Sequence, residues 1–252
     1  MIKAFIFDLD GTLVKTEILK ARSYARAAVE LCPDCATEGE IIEAYKGMVG
    51  LPRKEVAQAL VEQYGLEKAL TPKMNEFGVS TAWQAYVQVR MKIYDAMLAD
   101  PATLREHLCP YNLDLLKWAR HIGFKTGLAT MSACTETNRV LENLGVRSEF
   151  DFIATADDVS NGKPDPEVYL LVARQLQAEP SECLVIEDSA TGVRAALAAG
   201  AWCIAVTSDL TRKGVHESGL LDERWVIDNP ADLKAAAIAL IEERKVSETA
   251  VR

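Results

Sequence analysis

The sequence predicts an α/β fold: a doubly wound, Rossmann-like parallel sheet core with an inserted α-helical domain. Three observations carry this. Short runs rich in Ile, Val and Phe recur along the chain and stop abruptly at polar residues, as strands buried on both faces do. From about Asn112 onward, helix-period segments separate these runs, which is the alternation of βαβ units. Between Glu17 and Leu98 the apolar positions follow a helical period and no strand run appears.

In chain order, Ile2 to Leu9 is the first strand run, cut off by the turn pair Asp10-Gly11. Helices are expected over Glu17–Leu31, Glu38–Lys46, Arg53–Tyr64 and Ser80–Leu98. Hinges near Val14–Thr16 and Ala99–Leu104 would divide the chain into an α/β core of residues 1–15 and 104–252 and a helical domain of residues 16–103. The core then continues as helix Asn112–Ile122, strand Lys125–Thr130, helix Thr135–Leu144, strand Phe152–Thr155 and helix Glu167–Leu176. Strand Cys183–Ile186, helix Thr191–Ala199 and strands Trp202–Val206 and Trp225–Ile227 follow. Asn229-Pro230 is the N-cap and first position of a final helix, and the polar tail after Glu243 is expected to fray.

Composition narrows the function. The 252 residues carry 28 Lys+Arg against 37 Asp+Glu, a formal charge of −9. That balance argues against nucleic acid or an anionic membrane surface as partner, both of which call for a basic face. An apolar content of 49% with 26% charged residues is that of a folded chain with a real core. The longest uncharged stretch, Ala195–Ser208, falls short of the ~20 residues that cross a bilayer. The N-terminal apolar run meets Asp8 too early for a signal peptide. A cytoplasmic protein is therefore expected, monomeric or a small homo-oligomer, with its six cysteines as free thiols. Cys32-Pro33-Asp34-Cys35, at a helix end and without a second Cys or His pair, is expected to be a loop with two free thiols.

In open α/β sheets, ligands bind beyond the carboxyl ends of the strands. The strand ends here are rich in chemistry. The first ends in Asp8-Leu9-Asp10-Gly11-Thr12, the second in Thr130-Met131-Ser132, and the fourth in Glu187-Asp188-Ser189. Asn161-Gly162-Lys163-Pro164 follows the third. Carboxylates at Asp8, Asp10 and Asp188 converging on one point would repel unless a cation lay among them. A few hard oxygen ligands suit Mg²⁺, which keeps several waters and shares substrate phosphate. Thr130 and the backbone after it can donate to phosphate oxygens, Lys163 offsets the combined charge, and a carboxylate nucleophile is an established route to an aspartyl-phosphate.

Taken together, Asp8-Leu9-Asp10-Gly11-Thr12-Leu13, Thr130, Gly162-Lys163-Pro164-Asp165-Pro166 and Glu187-Asp188-Ser189-Ala190-Thr191-Gly192 resemble, in this order, the four motifs of the haloacid dehalogenase-like superfamily. The helical insert resembles the type I cap of its phosphatase and β-phosphoglucomutase-like branch. The likeness covers about Lys3–Leu13 and Leu104–Leu210. It implies a Mg²⁺-dependent phosphatase of small phosphorylated metabolites, with a mobile cap. Asp8 would attack phosphorus. Asp10 would protonate the leaving oxygen and then activate water. Asp8, the Asp10 carbonyl and Asp188 would hold Mg²⁺, with Glu187 an outer or occasional ligand. Thr130, the Met131 backbone and Lys163 would hold the phosphoryl group.

The resemblance leaves two alternatives. A phosphosugar mutase shares the motifs, but that branch typically carries histidine where this chain has Lys20, and relatives often have Asp where it has Lys15; both differences add positive charge near the hinge. A catalytically retired regulator would have little need for this set of like charges. In the cap, Gly47–Lys54 interrupts two helices, and Lys46 and Arg53 flank it as candidate substrate-specificity residues. A helix opening at Pro52-Arg53 would offer free N–H groups to an anion.

Overall fold

The computed structural model describes residues 1–49 and 51–249. The chain divides into two compact units, Met1–Lys15 with Leu104–Arg252, and Thr16–Thr103. Strand β1 (Ala4–Phe7) opens the first and is buried at every position, as its uninterrupted apolar run requires.

The helical unit follows, beginning with α1 (Thr16–Leu31). Helix α2 (Glu38–Lys46) starts at a capping box: Glu40 N–H donates to Thr37 Oγ1, and Thr37 N–H donates to the Glu40 carboxylate. Next come α3 (Arg53–Gln63), α4 (Glu67–Phe77) and α5 (Ala82–Ala99). Helix α4 has no counterpart in the sequence reading, because Pro72 lies inside it and proline argues against a helix interior. The unit's core gathers Ile41, Leu60, Leu66 and Leu70 around Tyr24, Tyr45 and Tyr86, and the Tyr86 hydroxyl donates to the Tyr24 carbonyl at 2.7 Å.

One expectation for this unit is corrected. Cys32 and Cys35 form a disulfide instead of standing as free thiols. The turn that ends α1, with Cys35 N–H on the Cys32 carbonyl, brings their Cα atoms to 5.4 Å, within bridging range. The junction between the units at Thr103/Leu104 falls within the segment expected to join them, and that segment is largely helical: α6 (Pro101–Glu106) is started by Asp100, whose carboxylate accepts from the N–H groups of Ala102 and Thr103.

The remaining elements build the core unit: α7 (Pro110–His121), β2 (Lys125–Ala129), α8 (Cys134–Leu144), β3 (Phe152–Ala154) and α9 (Glu167–Gln175). Then come β4 (Cys183–Glu187), α10 (Ala190–Ala198), β5 (Trp202–Val206), α11 (Arg212–Ser218), β6 (Val226–Ile227) and α12 (Leu233–Thr249). Helix α11 is short and was not read from the sequence. Helix α12 carries the tail expected to fray as far as Thr249, and residues 250–252 lie outside the described residues. No helix among the described residues is long and apolar enough to cross a membrane.

All strands are parallel, in the order β3-β2-β1-β4-β5-β6, so strand order reverses beside β1. One face of β1, Ala4 and Ile6, packs with Val168, Val172 and Val193. The other, Phe5 and Phe7, joins an aromatic cluster with Trp118, Phe124 and Phe150. The register pairs Phe7 with Leu128 on one side and Ile186 on the other, which puts the first residue beyond β1 level with the ends of β2 and β4.

Candidate active site

That first residue is Asp8. Its N–H donates to the Ile186 carbonyl at 3.0 Å, continuing the ladder, and its side chain is buried. The chain then turns sharply, with Gly11 N–H on the Val14 carbonyl at 2.7 Å and Leu13 N–H on the Leu9 carbonyl at 2.9 Å. Gly11 has φ +87°, and a Cβ there would lie 2.0 Å from Asp188 Oδ2. Only glycine tolerates both that backbone and that approach, and so the β1 turn and the carboxylate after β4 share one place.

Lys163 enters from the loop before α9. Glu167 ties that loop down, accepting from Ser160 N–H, Asn161 N–H and Asn161 Nδ2, and Asp165 N–H donates to the Gly162 carbonyl. The Lys163–Pro164 bond is cis. Lys163 Nζ spends its three N–H groups on Asp8 Oδ1 at 2.7 Å, Glu187 Oε1 at 2.6 Å and the Ala129 carbonyl at 3.0 Å. Glu187 is held at both ends. Oε1 also accepts from the Tyr169 hydroxyl at 2.7 Å, and Oε2 accepts from Asp188 N–H, Ser189 N–H and Ser189 Oγ at 3.0–3.2 Å. Ser189 in turn N-caps α10 by accepting from Gly192 N–H, and a Cβ on Gly192 would lie 1.8 Å from Glu187 Oε1. This turn therefore needs glycine to make room for the buried carboxylate.

Asp10 faces the end of β2. Its Oδ2 accepts from Ser132 Oγ at 2.5 Å and from Thr130 Oγ1 at 3.3 Å, and Ser132 N–H donates to Thr130 Oγ1 at 3.0 Å. Thr130 is buried, and the Met131 side chain passes over Gly162. The side-chain oxygens that crowd together are those of Asp8, Glu187 and Asp188, which lie within 4.8 Å of one another. The Asp10 side chain is not one of that group, which leaves its main-chain carbonyl for any metal contact.

One lysine faces four carboxylates in this cleft. Burial raises the Asp8 carboxyl to about 7, more than Lys163 lowers it, and Glu187 and Asp10 add to the rise. Burial opposes the charge on Lys163 and on Glu187 too, but Asp8 and Glu187 together hold the ammonium above its usual range, and Lys163 holds the Glu187 carboxyl below its own. A cluster of hard oxygens with negative charge in excess is the kind of donor set a divalent cation takes, and Asp8 and Asp188 supply it beside a Glu187 whose two oxygens are engaged by protein donors.

The candidate specificity residues Lys46 and Arg53 lie in the other unit. Lys46 ends α2 with its ammonium on Glu43, and exposed Arg53 opens α3 after Pro52. Gly50, in the loop between them, lies outside the described residues. Lys20 adds less charge than expected, because Glu17 pairs with it at 2.7 Å while also accepting from Tyr45. The sequence reading assigned no role to Ser132, Tyr169 or Arg90. Arg90 is buried in the helical unit, its guanidinium over the Tyr24 and Tyr94 rings at 4.8 and 4.3 Å and its Nε without a hydrogen-bond partner among the described residues. Ser132 stood within the strand-end segment already singled out. For Tyr169 and Arg90, each one apolar-face position of a helix, sequence offered no signal.

A doubly wound sheet with a helical insertion and this acid–lysine cluster at its switch point defines a class of hydrolase. The chain belongs to the haloacid dehalogenase-like hydrolases, whose family model matches residues 2–200. It is 29% identical over 245 residues to the phosphorylated carbohydrates phosphatase of Thermotoga maritima, covering 97% of this chain and 96% of that one. It is 31% identical over 209 residues to the phosphoglycolate phosphatase of Salmonella paratyphi A, covering 82% and 81%. Among solved structures, CbbY from Rhodobacter sphaeroides in complex with xylulose-(1,5)bisphosphate matches with a TM-score of 0.70 at 26% identity, covering 92% and 96%.

Proposed function

We propose that the protein is a Mg²⁺-dependent phosphatase of small phosphorylated metabolites, working through an aspartyl-phosphate on Asp8. The observation that carries the reading is the Asp8–Lys163–Glu187 cluster packed against Asp188 at the sheet's switch point. Asp8, the Asp10 carbonyl and Asp188 would hold Mg²⁺, which when bound offsets the phosphoryl and carboxylate charge. Asp8 Oδ attacks phosphorus in line, and the P–O bond to the alcohol breaks. Asp10, oriented by Ser132 and Thr130, gives the departing oxygen its proton and then takes one from the water that cleaves the acyl phosphate. Lys163, Thr130 and the Met131 N–H hold the phosphoryl oxygens. The setting is cytoplasmic, the partner a small molecule and neither nucleic acid nor membrane, in keeping with the net charge of −9. The test is phosphate release from an aryl phosphate and a panel of phosphometabolites with and without Mg²⁺. Activity that survives chelation, or conversion of β-glucose 1-phosphate to glucose 6-phosphate in preference to free phosphate, overturns the reading.

Asp10→Asn should lower kcat by ~10²–10⁴-fold, the usual cost of losing general acid–base catalysis. Calorimetric Mg²⁺ affinity should stay close to wild type, since the carbonyl is untouched. Reduced Mg²⁺ affinity with normal metal-saturated kcat would reverse the assignment.

The candidate specificity residues belong to the helical unit. Arg90 and Arg53 both act electrostatically on Tyr24 in the helical unit, where Glu17 offsets Lys20, and this surplus of guanidinium charge suits a second anionic group. Arg53→Ala should raise KM for a substrate bearing such a group by about tenfold, because a hydrogen bond to a charged group is worth ~1.5–3 kcal/mol. Hydrolysis of an aryl phosphate, which lacks that group, should hardly change. Equal loss on both substrates would refute a specificity role.

A further inference from the structure

We infer that Tyr169 is a positioning residue for the phosphoryl-binding lysine: it holds Glu187 in place as the counter-ion of Lys163, so that the ammonium pivots about a fixed anchor. The inference rests on the phosphatase reading above and goes beyond it by giving work to a tyrosine that touches neither substrate nor nucleophile.

The argument begins with the valence of the lysine. An ammonium has three donors, and Lys163 has three acceptors: Asp8 Oδ1, Glu187 Oε1 and the Ala129 carbonyl. When a phosphoryl oxygen arrives, one of these must be released while the ammonium stays in the cleft. The acceptor equipped to stay is Glu187, whose two oxygens take five donors: Lys163, Tyr169, Asp188 N–H, Ser189 N–H and Ser189 Oγ. Four of the five come from groups other than the lysine. Three of those bind Oε2 from the turn directly after Glu187. Among the described residues Tyr169 alone joins Lys163 on Oε1, so it fixes the end of the carboxylate that faces the ammonium.

The tyrosine is itself enclosed by the core. It is buried with only 1% of its surface exposed, and its ring lies 4.8 Å from Lys163 Nζ. Neighbouring Val168 and Val172 of α9 pack into the core beneath β1. Full occupancy of Glu187 also separates two roles a carboxylate could have here. A metal would have to displace at least one of the five donors, whereas the counter-ion of Lys163 keeps them all.

Tyr169→Phe removes the hydroxyl and retains the ring, so packing and the cation–π contact persist. In Mg²⁺-loaded protein, calorimetric titration with inorganic phosphate should show about tenfold weaker binding, the order expected when a charge-assisted hydrogen bond is lost. Mg²⁺ affinity of the metal-free protein should change by less than about threefold, whereas loss of a partner that orients a metal ligand typically costs ~10–100-fold. Val172→Ala, in the same helix, controls for helix destabilisation: it should lower the Tm and leave phosphate affinity unchanged. Three results would overturn the inference: a Tyr169→Phe protein with lowered Tm but wild-type phosphate affinity, a change in Mg²⁺ affinity of about tenfold or more, or an equal loss of phosphate binding in Val172→Ala. Wild-type protein that binds no phosphate with Mg²⁺ present would overturn the phosphatase reading and this inference with it, whereas normal wild-type binding beside an unchanged Tyr169→Phe overturns this inference alone.

Discussion

Asp8→Asn protein is expected to release no phosphate above background from any substrate the wild type cleaves. The amide is nearly the same size as the carboxylate, so the buried turn should survive. It is, however, a poor nucleophile, and it presents a neutral oxygen or an N–H to Lys163 Nζ, which now lies 2.7 Å from Asp8 Oδ1. Losing the covalent route should cost at least about 10³-fold in kcat, or ~4 kcal/mol of barrier. Retention of more than about a tenth of wild-type kcat, a barrier change below ~1.4 kcal/mol, would sink the assignment. The wild-type carboxyl offers a second measurement. Burial raises Asp8 to about 7, above its ordinary value, so the metal-free folded state holds this proton to higher pH than the unfolded chain does. That contribution to stability is complete below about pH 4 and is lost as pH rises through about 7. Mg²⁺ should therefore raise the Tm more at pH 8 than at pH 5, and an equal rise at both would show that the carboxylate cluster is not where the ion binds.

Lys163→Met should cause the largest loss of stability of any single change at the site. The side chain is only 7% exposed and is the shared partner of Asp8 and Glu187, at 8% and 1%. Methionine fills the volume and leaves two buried carboxylates without their cation. Removing one partner of a buried ion pair typically costs ~3–5 kcal/mol. Denaturant unfolding in chelator should show a loss of that order at neutral pH. Saturating Mg²⁺ should recover part of it by neutralising Asp8, and none of the share belonging to Glu187, whose donors are all protein groups. Phosphate release should be undetectable even when the variant is folded. A variant as stable as wild type in chelator would mean that the lysine is not compensating buried charge.

Much of the core was legible from local pattern. Parallel strands buried on both faces leave continuous apolar runs, so β1, β2, β4 and β5 announce themselves, and polar residues gather where such runs stop. Asp8, Asp10, Thr130, Lys163 and Asp188 could be singled out because the ligand cleft of an open α/β sheet lies at strand ends, whatever the ligand. Elements without such a signature were missed: α4 is interrupted by Pro72, and α6 and α11 are too short to show a period.

What the sequence by itself determined is the α/β class with its helical insertion and the kinds of chemistry carried at the strand ends, because both follow from residue type and short-range spacing. Tertiary structure alone decided which groups meet. Phe7 pairs with Leu128 and Ile186, and that register brings Asp8 level with Glu187. A helix face turns Tyr169 onto Glu187 across 18 positions of sequence, and Ser132 reaches Asp10 across 122. The turn closing α1 brings Cys32 to Cys35, a pairing that spacing leaves open. Hydrogen bonds and burial depend on distance in space, and only the folded chain converts sequence separation into distance.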